Sequence, residues 1–371
     1  MTKVLVTGAN GFIGKNLCAH LKRDESIELL CLNRGNTDNE LRNKVEQADF
    51  IFHLAGVNRP KEVSEFDKGN RGLTEKIVDI LRNASKQTPV LLTSSTQAEL
   101  DNPYGKSKLA AENIIFDLSK NGGGRVYIYR LPGVFGKWCK PNYNSVIATF
   151  CYNICHNIDV TINESAPPIR LVYIDDVIKV FLDCLANEVK PTKDSYYTVG
   201  KEFSITLPEL ERKLQSFRDS RHSLLMPSFE SEFDRNLYAT YTSYFDEDDI
   251  GYELEKRTDD RGWLAEFIKS QQFGQIYISQ TNPGFTRGIH WHDTKIEKFL
   301  VIGGVAEIKM RDLYSDNAST LKVSGDKLEV MEMPAGRVHS IKNIGDDKMY
   351  LLIWSQQVFD PEKPDTYWED V

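Results

Sequence analysis

Short apolar runs rich in Val, Ile, Leu and Tyr recur through the first half of the chain: "KVLVTG", "IELLCLN", "DFIFHLAG", "PVLLTSS" and "VYIYRLP". Each is too short for a helix and too uniformly apolar for a strand with one wet face. They therefore read as strands buried on both sides. Between them, stretches such as "GFIGKNLCAHLKRD" and "LTEKIVDILRNASK" repeat apolar residues at helical spacing. Strand and helix in alternation predict βαβ units and a doubly wound parallel sheet of Rossmann-like α/β class. Near residue 252 the rhythm changes to short strands broken by frequent turns, "GQIYISQTNPG", "EKFLVIGGVAEIKMRD", "DKLEVMEMPAG" and "KMYLLIWSQ", which predict an all-β unit. The acidic, aperiodic "FDEDDIG" lies between the two textures. The expected organisation is residues 1–245, a linker at 246–251, and 252–371.

Composition narrows the function. A chain of 371 residues, 40% hydrophobic and 27% charged, suits two soluble globular domains. A net charge of -8 supplies no basic face for a phosphate backbone, so nucleic acid is not an expected partner. No secretory leader opens the sequence and no apolar stretch is long enough to span a bilayer, so a cytoplasmic enzyme without membrane contact is expected. The six cysteines show neither C-x-x-C pairs nor a disulfide framework, which fits a reducing compartment. Cys151 and Cys155, one helical turn apart, read as small buried thiols before they read as a redox pair.

"VTGANGFIG" places Gly8, Gly11 and Gly14 between the first strand and a helix. Glycines there allow a tight turn, close approach of backbone to a pyrophosphate, and a helix N-terminus aimed at its charge. Asn10, Phe12 and Ile13 share that loop, and Leu54 and Ala55 of "HLAG" end a neighbouring strand. An acidic residue expected at the second strand end, to bind a free ribose 2'-hydroxyl, is missing from "CLNRGN". Asn33 and Arg34 stand there instead and suit a 2'-phosphate, which favours NADPH, although Arg34 equally reads as a solvated loop residue. "DNPYGKSK" sets Tyr104 and Lys108 four apart on one helical face. An ammonium beside a phenol is expected to lower its pKa and make it a usable proton donor. "LLTSSTQ" supplies hydroxyls for a substrate carbonyl, with Ser95 first, Thr96 second, and Ser94 better read as a strand-end cap.

These segments resemble the extended short-chain dehydrogenase/reductase family over about residues 1–245. "RLPGVFG" and "RLVYIDDV" look like that family's substrate-side segments. The resemblance implies hydride transfer on a nucleotide sugar, with Arg130 and Arg170 as substrate-binding candidates. Where many members carry asparagine the chain has Gly133, so that contact is either absent or supplied elsewhere, by Asn142 or Asn144, which the sequence does not rank.

The β-rich region carries Gly284, His290, His292, Glu297 and Gly304, then Pro334, Gly336, His339 and Asn343. Alternate residues of a strand point the same way, so His290 and His292 project together. Three imidazoles and a carboxylate (His290, His292, Glu297, His339) form a plausible first shell for zinc or another divalent metal. The spacing resembles both motifs of the cupin superfamily, a jelly-roll barrel, over about 252–371, with Leu328 in place of one turn glycine. "TDDRGWLAEF" and "TRGIHWH" are similar to sugar-nucleotide 3,5-epimerases, which implies that Arg261 and Arg287 bind a nucleotide diphosphate. A metal-bound imidazole has no free lone pair, so His290 does not take over those enzymes' base role. Lys298 reads as an enolate-stabilising group or a solvated strand residue.

The whole-chain order, with "FGKWCKPNYNSVIATFCY" and the tail "FDP...PDTYW", resembles a family of bifunctional capsular-polysaccharide enzymes. That resemblance implies C3 epimerisation of a UDP-4-keto-6-deoxy-N-acetylhexosamine in the cupin, then NADPH-dependent C4 reduction to UDP-2-acetamido-2,6-dideoxy-L-talose, on the route to UDP-N-acetyl-L-fucosamine for capsule or O-antigen. It leaves open a reductase with a non-catalytic, structural or oligomerising cupin. A homo-oligomer, a dimer first, is expected because strand-edged cupins commonly pair.

Overall fold

The structure is a computed structural model that describes residues 1–189 and 196–371. The chain divides into two compact units: Met1–Leu214 with Arg235–Phe245, and Gln215–Asp234 with Asp246–Val371. The expected first region, 1–245, thus loses Gln215–Asp234 to the β-rich unit. There Leu225 bridges Lys269, and Met226 donates its N–H to the Lys269 carbonyl at 2.7 Å.

The first unit is built on strands β1 (Thr2–Thr7), β2 (Ile27–Leu32), β3 (Phe50–His53), β4 (Val90–Ser95) and β5 (Val126–Leu131), parallel in the order β2-β1-β3-β4-β5. Helices α1 (Phe12–Leu21) and α2 (Asp38–Gln47) follow β1 and β2. The short α3 (Ser64–Phe66) runs through a π turn into α4 (Leu73–Asn83), and α5 (Pro103–Lys120) precedes β5. Alternate strand residues feed opposite faces. Val4, Val6, Phe52 and Tyr129 pack with α1 and with Val177, Ile178 and Phe181, whereas Leu5, Ile51, Leu92 and Ile128 pack with α2, α4 and α5. This two-sided burial is why the strands are apolar throughout. A small sheet of β6 (Gly133–Phe135), β7 (Ile169–Tyr173) and β8 (Phe203–Ile205) follows, with α6 (Val146–Cys155) and α7 (Ile174–Leu185); α8 (Leu207–Ser223) belongs to this unit as far as Leu214, and α9 (Glu232–Thr242) from Arg235.

The second unit is antiparallel throughout its strand pairs and cupin-like. One sheet orders β16 (Val330–Met333), β13 (Glu297–Gly303), β18 (Met349–Ser355), β11 (Gly274–Thr281), β10 (Gly262–Ser270) and β9 (Lys256–Asp259). The other orders β15 (Ser319–Ser324), β14 (Val305–Asp312), β17 (Arg337–Asn343), β12 (Thr286–Trp291) and β19 (Tyr367–Trp368). Phe299, Val301, Met349 and Leu351 of the first sheet meet Ala306, Ile308, Val323 and Ile341 of the second in one apolar core. All six cysteines are free thiols, and no described helix is long and apolar enough to cross a membrane.

Candidate active sites

In the first unit a cavity of about 1340 Å³ opens at the carboxyl ends of the parallel strands, where open α/β sheets place their ligands. The β1–α1 turn forms its floor. Gly8 has φ +69°, and a Cβ on Gly14 would lie 2.2 Å from the Gly8 carbonyl oxygen, so the helix can close on the loop only without a side chain there. Gly8, Asn10, Gly11, Phe12, Ile13, Gly14, Asn33, Arg34, Leu54 and Ala55 all line the cavity. Asn33 Oδ1 accepts from the Asn10 backbone N–H at 2.9 Å, tying the β2 end to the glycine turn, while Arg34 is exposed at the rim. His53 joins β1 to α4 through hydrogen bonds with Thr7 (2.8 Å) and Thr74 (3.0 Å). Burial lowers its pKa to about 3, so this histidine stays neutral and structural.

Ser95, Tyr104 and Lys108 line the same cavity. Asn102 caps α5 by accepting from the Gly105 N–H at 2.8 Å, and Pro103 opens the helix, so Tyr104 stands in its first turn. The Ser95 hydroxyl accepts from the Gln97 backbone N–H at 3.2 Å and lies close enough to the Tyr104 phenol to favour its ionised form. One expectation is corrected here. Burial raises the Tyr104 pKa, with only Ser95 opposing it, and Lys108 does not lower it. The Lys108 Nζ is engaged elsewhere, donating to the Thr93 carbonyl at 2.7 Å. Burial lowers the Lys108 pKa to about 8 against the pull of Glu112 one turn further on.

Arg130 is a second correction. Its guanidinium donates to Glu112 Oε2 at 2.6 Å, to Glu99 at 3.0 Å and to the Tyr196 hydroxyl at 2.7 Å, and it lies 4.1 Å over the Tyr196 ring. It satisfies a fully buried carboxylate that also accepts from Ser94, and it does not line the cavity. The strand-end-cap reading of Ser94 thus gives way to a bond with Glu112. Asn144 lines the large cavity and an adjoining one of about 350 Å³, and Thr96 does the same. Arg170 lines the smaller cavity and donates to Glu202 at 2.6 Å. Asn142 reaches neither cavity; its N–H donates to Thr149.

In the second unit His290, His292, Glu297 and His339 converge, with potential ligand atoms all within 4.8 Å of one another. β12 pairs with β17 so that His290 faces His339, after a bulge in which Ile289 takes φ +67°. Nε2 of His292 and of His339 are buried without a hydrogen-bond partner, 3.4 Å and 3.8 Å from Glu297 Oε2. Burying such atoms unsatisfied is unfavourable, and a divalent cation satisfies them, so this donor set fits a metal. Burial, with His339 and His292 nearby, lowers the His290 pKa to about 3, which keeps its lone pair available. Burial opposes ionisation of Glu297, but His292, Lys295 and His339 outweigh it and hold its pKa below normal.

Lys298 is the third correction. It alternates with Glu297 along β13, so its side chain leaves on the opposite face, where it pairs with Glu332 and lies 6.0 Å over Trp354. Arg261 and Arg287 do come together, around Asp259. Arg261 Nε donates to that carboxylate at 3.0 Å, and Arg287 stands 3.6 Å away while donating to Thr281 Oγ1 at 3.1 Å. The sequence reading did not single out Lys295, which is 7% exposed near Glu297, or Tyr277 and Gln275. The last two share the inner face of the sheet with Phe299 and Glu297 through the β11-β18-β13 register. The polar alternation "QIYISQT" was the available signal.

Residues 4–200 match the NAD dependent epimerase/dehydratase family, and residues 257–367 match the polysaccharide biosynthesis C-terminal domain. The chain belongs to the NAD dependent epimerase/dehydratase family, whose members use a nicotinamide dinucleotide. It is 44% identical over 365 residues, 98% of each chain, to the UDP-2-acetamido-2,6-beta-L-arabino-hexul-4-ose reductase of Pseudomonas aeruginosa. Among solved structures it is similar to the capsular polysaccharide assembling protein CapF of Staphylococcus aureus, at 43% identity and TM-score 0.92, over 99% of this chain and 100% of that one. It is also similar to the spore coat polysaccharide biosynthesis protein SpsL of Bacillus subtilis, at 24% identity over 131 residues, 32% of this chain and 87% of that one.

Proposed function

We propose that this protein is a bifunctional sugar-nucleotide enzyme. Its metal cup inverts C3 of a UDP-4-keto-6-deoxy-N-acetylhexosamine, and its dinucleotide unit then reduces the C4 ketone with NADPH. The product is UDP-2-acetamido-2,6-dideoxy-L-talose, made on the way to UDP-N-acetyl-L-fucosamine for capsule or O-antigen. The observation that carries this reading is the 365-residue likeness, through both units, to an enzyme named as a reductase of a 4-ulose on a UDP sugar.

When bound, NADPH supplies the hydride and a zinc-class metal supplies positive charge beside a ketone oxygen. The Tyr104 phenol delivers the proton to the oxygen at C4, and Ser95 orients that oxygen. Lys108 keeps positive charge under the pair, and Asn33 with Arg34 holds the 2'-phosphate. His290, His292, Glu297 and His339 hold the metal, while Arg261 and Arg287 bind the diphosphate. A proton next to a ketone becomes removable when charge on the forming enolate is neutralised. Reduction of the same ketone removes that acidity and fixes the new configuration.

A second reading keeps the reductase and makes the cup structural, a view favoured by the relative's name, which mentions reduction alone. Incubating the whole protein with the 4-keto sugar nucleotide in deuterated water without NADPH separates the two. Deuterium at C3 is expected. Its absence, with reduction intact, leaves only the reductase.

A further inference from the structure

One residue of the C-terminal tail, Asp365, bonds both the ring of the metal-cup residue His292 and the loop that follows it. After β18 the chain runs from Gln356 to Thr366 with no regular strand, then adds the two-residue β19 to the edge of β12. Within that tail Asp365 takes φ +36°, a backbone region that L residues other than Asn and Asp seldom enter. Its carboxylate accepts from three successive backbone N–H groups: Asp293 at 2.9 Å, Thr294 at 3.0 Å and Lys295 at 2.8 Å. The Thr294 hydroxyl adds a fourth bond at 2.9 Å. The same residue's backbone carbonyl lies 2.6 Å from His292 Nδ1.

A carbonyl oxygen only accepts, so Nδ1 of His292 carries the proton. In the neutral ring this tautomer presents the Nε2 lone pair, and it is this atom that is buried without a hydrogen-bond partner in the cup. Ligating histidines depend on such a bond at their far nitrogen, which sets the tautomer and fixes the ring plane. His339 has only a longer contact of this kind, 3.2 Å to the Arg337 carbonyl two residues away. For His292 the acceptor comes from 73 residues further along the chain, so something must hold it in place. The carboxylate does so by gripping the loop that directly follows His292.

We propose that Asp365 is a positioning residue for the metal ligand His292: its side chain locks the 293–295 loop to the tail, and its backbone carbonyl thereby fixes the tautomer and aim of the His292 ring. This rests on the metal reading of the cup given above. It adds to that reading a residue that touches neither metal nor substrate yet controls how tightly the metal is held.

The test is zinc affinity of the whole protein, stripped of metal and titrated with zinc(II) alone against a chromophoric chelator. Cobalt(II) spectra report the ligand set in parallel. D365A is expected to bind zinc about 10- to 100-fold more weakly, the usual effect of losing an outer-shell partner, and to alter the cobalt bands. D365N keeps a side-chain oxygen and tolerates the same φ, so it is expected to fall between D365A and the native protein. Asp360 lies in the same tail, and its side chain accepts from the nearby Glu362 N–H at 2.9 Å, so D360A is expected to keep native affinity. Native affinity and spectrum in both Asp365 variants overturn the proposal. Equal weakening in D360A overturns it too, because general loosening of the tail is then the cause. Native protein that takes up no zinc overturns the metal reading and this inference with it, whereas tight native binding unchanged by the Asp365 variants sinks the inference alone.

Discussion

Lys108 is protonated near neutral pH at a depth where charge is unwelcome, and replacing it should separate stability from function. Its pKa falls from 10.5 to about 8 on burial. At about 1.4 kcal/mol per pH unit, that drop disfavours the buried ammonium by about 3 kcal/mol relative to the neutral amine. The unfolded chain keeps the proton up to its own higher pKa. Between the two values the unfolded state therefore binds more protons, and stability rises with pH. Below pH about 8 the full penalty is present, and it fades as pH climbs toward the unfolded value. Lys108→Met removes the charge but also the bond to the Thr93 carbonyl at 2.7 Å, and losing that bond with its acceptor left dry costs about 1–2 kcal/mol. The variant should be about 1–2 kcal/mol more stable than native at about pH 7 and less stable by a similar amount above about pH 10. Urea unfolding of both proteins across this range, without cofactor, measures the difference. NADPH oxidation with a 4-keto sugar nucleotide should be lost in the same variant. A native-minus-variant difference that stays flat with pH, or a variant less stable at neutral pH, refutes the reasoning.

Glu112→Gln removes the anion that props up the Lys108 pKa, so the alkaline limb of the reductase pH–rate profile, expected near pH 8 for the native enzyme, should move to lower pH. An unmoved limb assigns it to another group. Glu112→Ala also leaves Arg130 without its buried partner and should destabilise the protein by about 3–5 kcal/mol in thermal or urea unfolding. Gly14→Ala pushes a Cβ onto the Gly8 carbonyl at 2.2 Å, and isothermal titration should show at least a tenfold loss of dinucleotide affinity. Zinc at about 100 times its Kd should stabilise the β-rich unit by about 2.7 kcal/mol, reversed by chelator, and His339→Ala should abolish that gain.

What the sequence made legible and what it hid divide along a physical line. The five parallel strands could be read because burial on both faces leaves uninterrupted apolar runs, and the cup could be read because ligand spacing survives in one dimension. Arg130 could not be placed that way, since its role depends on Glu112, which sits on α5 at helical spacing from Tyr104 and Lys108 but was not counted with them. For Lys298 strand alternation decides between its two readings: it sends Glu297 inward and its neighbour out, where Lys298 is a strand residue on the outer face. Asp365 left no signature because its working atom on His292 is a backbone oxygen, which every residue owns. The Tyr104–Lys108 pair shows the limit most sharply. Helical spacing put the two side chains on one face, but whether an ammonium lowers a phenol's pKa depends on where its nitrogen ends and how much water surrounds both. Here the Thr93 carbonyl takes that nitrogen and burial acts on each group separately. In the structure Lys108 therefore gives its nitrogen to a strand carbonyl, and burial shifts the two groups in opposite directions, the phenol up and the ammonium down.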